Sequence, residues 1–199
     1  MSSPPLSSIE IEYAEQCGRE HARVCGDTRP PGLRRRLASW RDAWLVRQAL
    51  KVAGEPGLVL DLACGSGRFW PVLAEHVNRV ILASDNSQAM LDHALTHHPA
   101  SLLKRVKTFQ GSAFSIGLSA NAVDCIFCLE LFRHVPSSEG RLALLREFHR
   151  VSRDTVIVSV PSRTPAEAEF RQAGFKVLSY QEFMPGSSQW RVYVLCKRG

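Results

Sequence analysis

The chain has 199 residues, 45% hydrophobic and 22% charged, with 25 Lys and Arg against 19 Asp and Glu for a net charge of +6. That suits one sizeable globular domain and is too short for two ordinary ones. No apolar run approaches the roughly 18 residues that a membrane span needs, and Met1–Pro5 lacks the basic and apolar regions of a signal peptide. The six cysteines are scattered like free thiols in a reducing compartment, so a cytoplasmic location is expected, as monomer or homodimer.

Residues 1–8 read as a loose tail and Ile9–Val24 as a helix. Cys25–Gly32 is a clear break. Leu33–Val52 reads as a second helix, with Leu33, Leu37, Trp40, Trp44, Leu45 and Ala49 forming a core-facing stripe. Its basic face carries Arg34, Arg35, Arg36, Arg41 and Arg47, which is compatible with a solvated helix face or with an anionic partner such as RNA. Gly54–Gly57 ends the helix.

Leu58–Leu62 is apolar apart from Asp61, the pattern of a central parallel strand covered on both faces. Ala63, Gly65, Ser66 and Gly67 follow, a turn with almost no side-chain bulk. Such a turn lets a ligand lie against the backbone and offers N–H groups to it. A P-loop is excluded because no Lys follows the glycines. A dinucleotide fingerprint is disfavoured because its third Gly position holds Trp70. The turn alone also fits an ordinary glycine turn of another α/β protein.

Phe69–Val77 reads as a helix with Pro71 in its first turn. Arg79–Asp85 is a second apolar strand ending in an acid, 24 positions after Asp61. A carboxylate at that place can accept from both hydroxyls of a ribose. Asn86 and Ser87 can cap the helix Gln88–His98. The adjacent His97 and His98 cannot share one helix face, so no metal is expected there. Val106–Phe114 gives a third strand and its exit, and Ala122–Leu129 a fourth. The latter holds Cys125-x-x-Cys128, whose side chains point to opposite faces of a strand, so a shared metal is not expected.

Ser138–Val151 is an amphipathic helix with Leu142, Leu145, Phe148 and His149 inward, and Ser152–Asp154 is a turn. Thr155–Val160 is a fifth strand. A helix capped by Thr164 runs to Ala173, and Phe175–Phe183 with Gln189–Cys196 reads as an antiparallel hairpin.

Asp61-x-Ala63-x-Gly65-x-Gly67 resembles motif I of the class I S-adenosylmethionine-dependent methyltransferases, usually [D/E]-x-G-x-G-x-G, with Ala63 replacing the first Gly. Asp85-Asn86-Ser87 followed by Ala89-Met90-Leu91 resembles the family's D-x-S…ML stretch, and Glu130–Pro136 its segment after the fourth strand. The branch most resembled is the small-molecule one that includes ubiquinone biosynthesis. Where the family often has G-D-A, this chain has Gly111-Ser112-Ala113. The resemblance covers residues 33–199.

It implies a Rossmann-like α/β fold: a seven-stranded, mostly parallel sheet, helices on both faces, and a C-terminal antiparallel hairpin. It also implies one methyltransferase domain over 1–199, with residues 1–53 covering the pocket of a core at 54–199. S-adenosylmethionine would be held by Asp61, Ala63, Cys64, Gly65 and Gly67 at the turn, by Asp85, Asn86 and Met90 at the ribose and adenine, and by Ser112 and Ala113 beyond them. Cys128 either sits near the methyl group or is a buried strand residue. Tyr13 is a candidate substrate contact. His134 or Glu130 would serve as general base where the acceptor carries a proton. No [D/N]-P-P-[Y/F] sequence and no Pro-Cys pair occurs, which argues against base N-methylation and covalent C5 chemistry. The expected acceptor is a small molecule; an RNA or protein methyltransferase using Arg34–Arg47, or a cofactor-binding pseudoenzyme, is the alternative.

Overall fold

The computed structural model of the protein describes residues 33–162, 166–182 and 190–198, with side chains described from Ala38 onward. The helix expected at Ile9–Val24, Tyr13, the cap Thr164 and the turn Met184–Ser188 lie outside the described residues. So do the side chains of Arg34, Arg35 and Arg36.

In chain order the elements are α1 (Leu33–Val52), β1 (Leu58–Leu62), α2 (Trp70–Leu73), β2 (Val80–Asp85), α3 (Gln88–His97), α4 (Ala100–Leu103) and β3 (Val106–Gln110). They continue with β4 (Val123–Cys128), a 3-10 turn (Leu131–His134), α5 (Ser138–Val151), β5 (Ser152–Pro161), α6 (Ala166–Gln172), β6 (Phe175–Glu182) and β7 (Trp190–Lys197). The strands form one seven-stranded sheet in the order β3-β2-β1-β4-β5-β7-β6. The pairs from β3 through β5 are parallel, whereas β7 runs antiparallel to both β5 and β6.

Side chains alternate across each strand, so the sheet divides its apolar residues between two cores. Leu60, Ile126, Cys128, Val156 and Val158 pack against Leu144, Leu145 and Phe148 of α5 and Phe170 of α6. Val59, Ile81, Cys125, Phe127 and Ile157 pack on the other face against Val46 and Leu50 of α1, Trp70 and Leu73 of α2, and Leu91 of α3. Both faces being covered, the strands read as continuous apolar runs. Cys125 and Cys128 enter different cores, as their spacing on a strand requires.

β1 leads to β2 on one side and lies beside β4 on the other, so the strand order reverses between β1 and β4. In open α/β sheets the crevice outside the carboxyl ends of the strands at that reversal is where ligands bind. Among the described residues, no helix is long and apolar enough to cross a membrane.

Four local expectations differ from the structure. In α1 the buried residues are Asp42, Leu45, Val46, Ala49 and Leu50, while Trp40 and Trp44 are 68% and 42% exposed. The helix after the turn ends at Leu73 rather than Val77. Its closing carbonyls are taken by arginines from elsewhere: Arg79 Nη1 donates to Leu73 O at 2.9 Å, and Arg105 donates to Ala74 O at 2.6 Å and to His76 O. α5 buries Arg141 and Leu144 where Leu142 was expected. Arg141 lies inside because Glu169 of α6 meets it with two hydrogen bonds, at 2.9 and 2.6 Å. Finally, Ser152–Asp154 is strand: Ser152 Oγ closes α5 on Phe148 O at 2.7 Å, and the chain enters the sheet at once.

Candidate active site at the carboxyl ends of β1, β2 and β4

Alternate residues of the turn after β1 are left-handed. Ala63, Gly65 and Gly67 have φ of +57°, +53° and +72°. The chain folds tightly there, with Gly67 N–H donating to Cys64 O at 2.9 Å and Trp70 N–H to Gly67 O at 3.0 Å. Ala63 stands in this region at a cost of about 1–2 kcal/mol.

Gly67 is indispensable for a second reason. A Cβ on it would lie 2.6 Å from the Trp70 ring, which is fully buried beneath the turn. Trp70 Nε1 donates to Asp61 Oδ2 at 3.0 Å. The Trp that breaks the dinucleotide pattern thus acts as a floor joining the turn to the acid at the end of β1. His98 packs on that indole with ring centroids 5.0 Å apart, and its Nε2 bonds Ser66 O at 3.1 Å.

Asp61 is 3% exposed. Burial pushes its carboxyl up to about 8, against the Trp70 hydrogen bond and with a further push from neighbouring Asp85. Asp85 is also raised, by burial, with hydrogen bonds from backbone N–H groups opposing. Gly65 N–H donates to its Oδ2 at 2.9 Å and Ser87 N–H to its Oδ1 at 3.0 Å. The Asn86 N–H also engages this carboxylate, whose two oxygens together still have capacity for a further donor. The Gly65 amide is committed to Asp85 and is not free for a ligand. Ser87 caps α3 as expected, accepting from Met90 N.

Facing this wall across the cleft is the segment after β4. Glu130 has φ +70° and its N–H donates to Ser159 Oγ at 2.7 Å. Non-Gly residues held there store strain of the kind that collects at functional sites. The Glu130 carboxylate meets Arg68 Nη1 at 3.3 Å and Arg133 Nη1 at 3.5 Å. Arg68 also pairs with Asp42 of α1, which is 3% exposed. Arg133 Nε donates to His134 Nε2 at 2.8 Å, so that ring nitrogen carries the lone pair and is already engaged.

Eight residues picked out by sequence line the cleft: Asp61, Ala63, Cys64, Gly65, Asp85, Met90, Glu130 and His134. Five others do not. Gly67 lies under the turn on Trp70, the Asn86 carbonyl accepts from Gln110 Nε2 at 2.9 Å, and Ser112 Oγ accepts from Phe114 N–H at 3.1 Å. Ala113 and Cys128 are buried in the core beneath. Burial raises the Cys64 and Cys128 thiols, so neither offers a thiolate. The cleft also takes Arg68, Phe69, Leu129, Leu131 and Arg133, which motif spacing did not select. Trp70 carried a signal of its own, an aromatic three residues after the last glycine of the turn.

Residues 59–155 match a family model described as a methyltransferase domain. No curated protein matches the chain in sequence. Among solved structures, the chain resembles magnesium protoporphyrin IX methyltransferase from Synechocystis PCC 6803 with bound S-adenosylmethionine. That pair shares 16% identity over 99% of this chain and 100% of that one, with a TM-score of 0.73. It also resembles a SAM-dependent methyltransferase from Aquifex aeolicus, at 21% identity over 75% of this chain and 87% of that one, with a TM-score of 0.60. The [4+2]-cyclase SpnF matches at 16% identity over 99% of both chains with a TM-score of 0.69, a sign that fold alone does not set the reaction. The matched segment begins in β1 and spans the turn, β2 and β4 that build the cleft, so the part of the chain that forms the cleft is similar to a methyltransferase domain, and the fold is the one shared with these methyltransferase structures.

Proposed function

We propose that the protein transfers the methyl group of S-adenosylmethionine to a small-molecule acceptor. The observation that carries the reading is the convergence of Asp61, Gly65 and Asp85 on one cleft at the strand-order reversal, opposite the segment 129–134. The donor set fits a sulfonium nucleoside. Asp85, an acceptor at the cleft with capacity left beside its backbone N–H donors, suits a ribose hydroxyl. Asp61 is a buried acid with no cationic partner among its described contacts, and a cationic ligand would favour its charged form.

When bound, S-adenosylmethionine supplies a methyl group on a positively charged sulfur. The chain's task is then to orient two molecules and keep water out. Asp85 holds the ribose, Asp61 faces the methionine end, Met90 packs beside Gly65, and Leu129 and Leu131 close the opposite wall with apolar surface. Where the acceptor must lose a proton, His134 is the candidate base, and it needs Arg133 to release its Nε2 first.

The described arginines of α1 speak against an RNA-binding role. Arg47 is paired with Glu75 at 2.7 Å and Arg41 donates to Glu182 O at 3.5 Å. Calorimetry with S-adenosylmethionine tests the cofactor claim. Wild type is expected to bind, and Asp85→Ala to bind at least about tenfold more weakly, since each hydrogen bond to a charged group contributes about 1.5–3 kcal/mol. Equal affinity in the two proteins, or no binding to wild type, refutes the reading. A methyl-donor assay over pooled metabolites then separates an enzyme from a binding protein.

A further inference from the structure

We propose that the acceptor end of the cleft binds a carboxylate through Arg68 and Arg133, so that the methyl acceptor is a carboxylate-bearing small molecule. This rests on the donor occupying the Asp61–Asp85 side of the same cleft.

Two guanidinium groups from different loops converge on one carboxylate, that of Glu130. The three partners are not equally fixed. Arg68 is tied at its other nitrogen to Asp42, a carboxylate 3% exposed on α1, and its guanidinium carbon lies 4.9 Å over the Phe69 ring. Arg133 is steadied by donating Nε to His134. The Glu130 carboxylate is about as exposed as Arg68, but its ion pairs are with these two arginines, whereas each arginine is also held by a further group. Exposed ion pairs of this kind contribute little and exchange readily. Glu130 is therefore the exchangeable member, and the site it fills is a carboxylate site by construction: two planar donor sets presented to one acceptor.

Charge supports the same choice. With Glu130 displaced into solvent, the two guanidinium groups lose a carboxylate that they share, and an acidic acceptor replaces it. Asp42 is thus a positioning residue, holding Arg68 at the mouth, and the Phe69 ring supplies an apolar surface beside the bound acid.

Benzoate and its neutral counterpart benzamide are the probes, titrated into the full chain at constant ionic strength. Binding is followed by NMR of the arginine Nε–H signals. Benzoate is expected to shift the Arg68 and Arg133 signals, and benzamide not to. Glu130→Gln removes the internal competitor and should tighten benzoate by about threefold, the equivalent of an exposed pair. Arg133→Gln should weaken it by a similar factor or more. If benzoate and benzamide behave alike, or if Glu130→Gln weakens benzoate, the proposal is overturned. Calorimetry with S-adenosylmethionine on the same samples separates the two claims. Loss of donor binding with an intact benzoate response removes the methyl-transfer reading alone, and the reverse pattern removes the carboxylate site alone.

Discussion

Gly67→Ala should damage this protein more than its size suggests. At φ +72° any side chain is strained, at a cost of about 1–2 kcal/mol. The added methyl would also lie 2.6, 2.7 and 2.8 Å from three atoms of the Trp70 ring. That ring cannot step aside: it is 0% exposed and its Nε1 is held by Asp61 at 3.0 Å. Overpacking of a closed site costs a further 1–3 kcal/mol or so. The total is about 2–5 kcal/mol, against the 5–15 kcal/mol typical of a whole domain. At about 2–4 °C per kcal/mol for a chain of this size, Tm should fall by roughly 5–20 °C.

Thermal unfolding by circular dichroism reads this directly, and a second background separates the two causes. In Trp70→Leu the ring is gone and only backbone strain remains, so Gly67→Ala there should cost about 1–2 kcal/mol. The difference between backgrounds is the coupling between residue 67 and the indole. A Tm change below about 1 °C in the wild-type background refutes the reasoning. So does an equal cost in both backgrounds, which would leave the ring with no part in the effect.

Asp61 makes stability depend on pH. Its carboxyl is pushed up to about 8 in the folded chain, so the folded state holds the proton more tightly than the unfolded state. The stabilisation is complete below the unfolded value near 4 and is lost as pH rises through about 8. Tm of the ligand-free protein should therefore fall between pH 5 and 8, and Asp61→Asn should flatten that slope; an unchanged slope in the variant assigns it elsewhere. Glu169→Ala strands the Arg141 guanidinium, 8% exposed, and should cost about 3–5 kcal/mol in urea denaturation. A loss under about 1 kcal/mol would mean that the pair is solvated.

The legible part of the chain was the part governed by local rules. Apolar runs holding Asp61 and Asp85 at their ends announced parallel strands, and the small residues between Leu62 and Arg68 announced a tight turn. Both are properties of neighbours in sequence, so both could be read there. The family resemblance then supplied the seven-stranded sheet with its antiparallel end, which the structure shows.

Face assignments in helices fared less well, because a period names a stripe without naming what covers it. In α1 the register of Trp40 and Trp44 looked as good as that of Val46 and Leu50, and only the position of the sheet put the latter pair inside. Arg141 reads as a surface residue until α6 brings Glu169 to it. The shortness of α2 could not be foreseen either, since the arginines that take its carbonyls lie 6 and 31 positions away.

At the site, sequence determined which residues stand at the ends of β1 and β2. Tertiary structure decided what those residues do. It placed Trp70 under Gly67 and against Asp61, spent the Gly65 amide on Asp85, and gathered Asp42, Arg68, Glu130 and Arg133 at the mouth of the cleft. The reason is physical. A turn's backbone angles are set within a few residues, whereas a hydrogen bond or an ion pair depends on a distance that only the folded sheet defines.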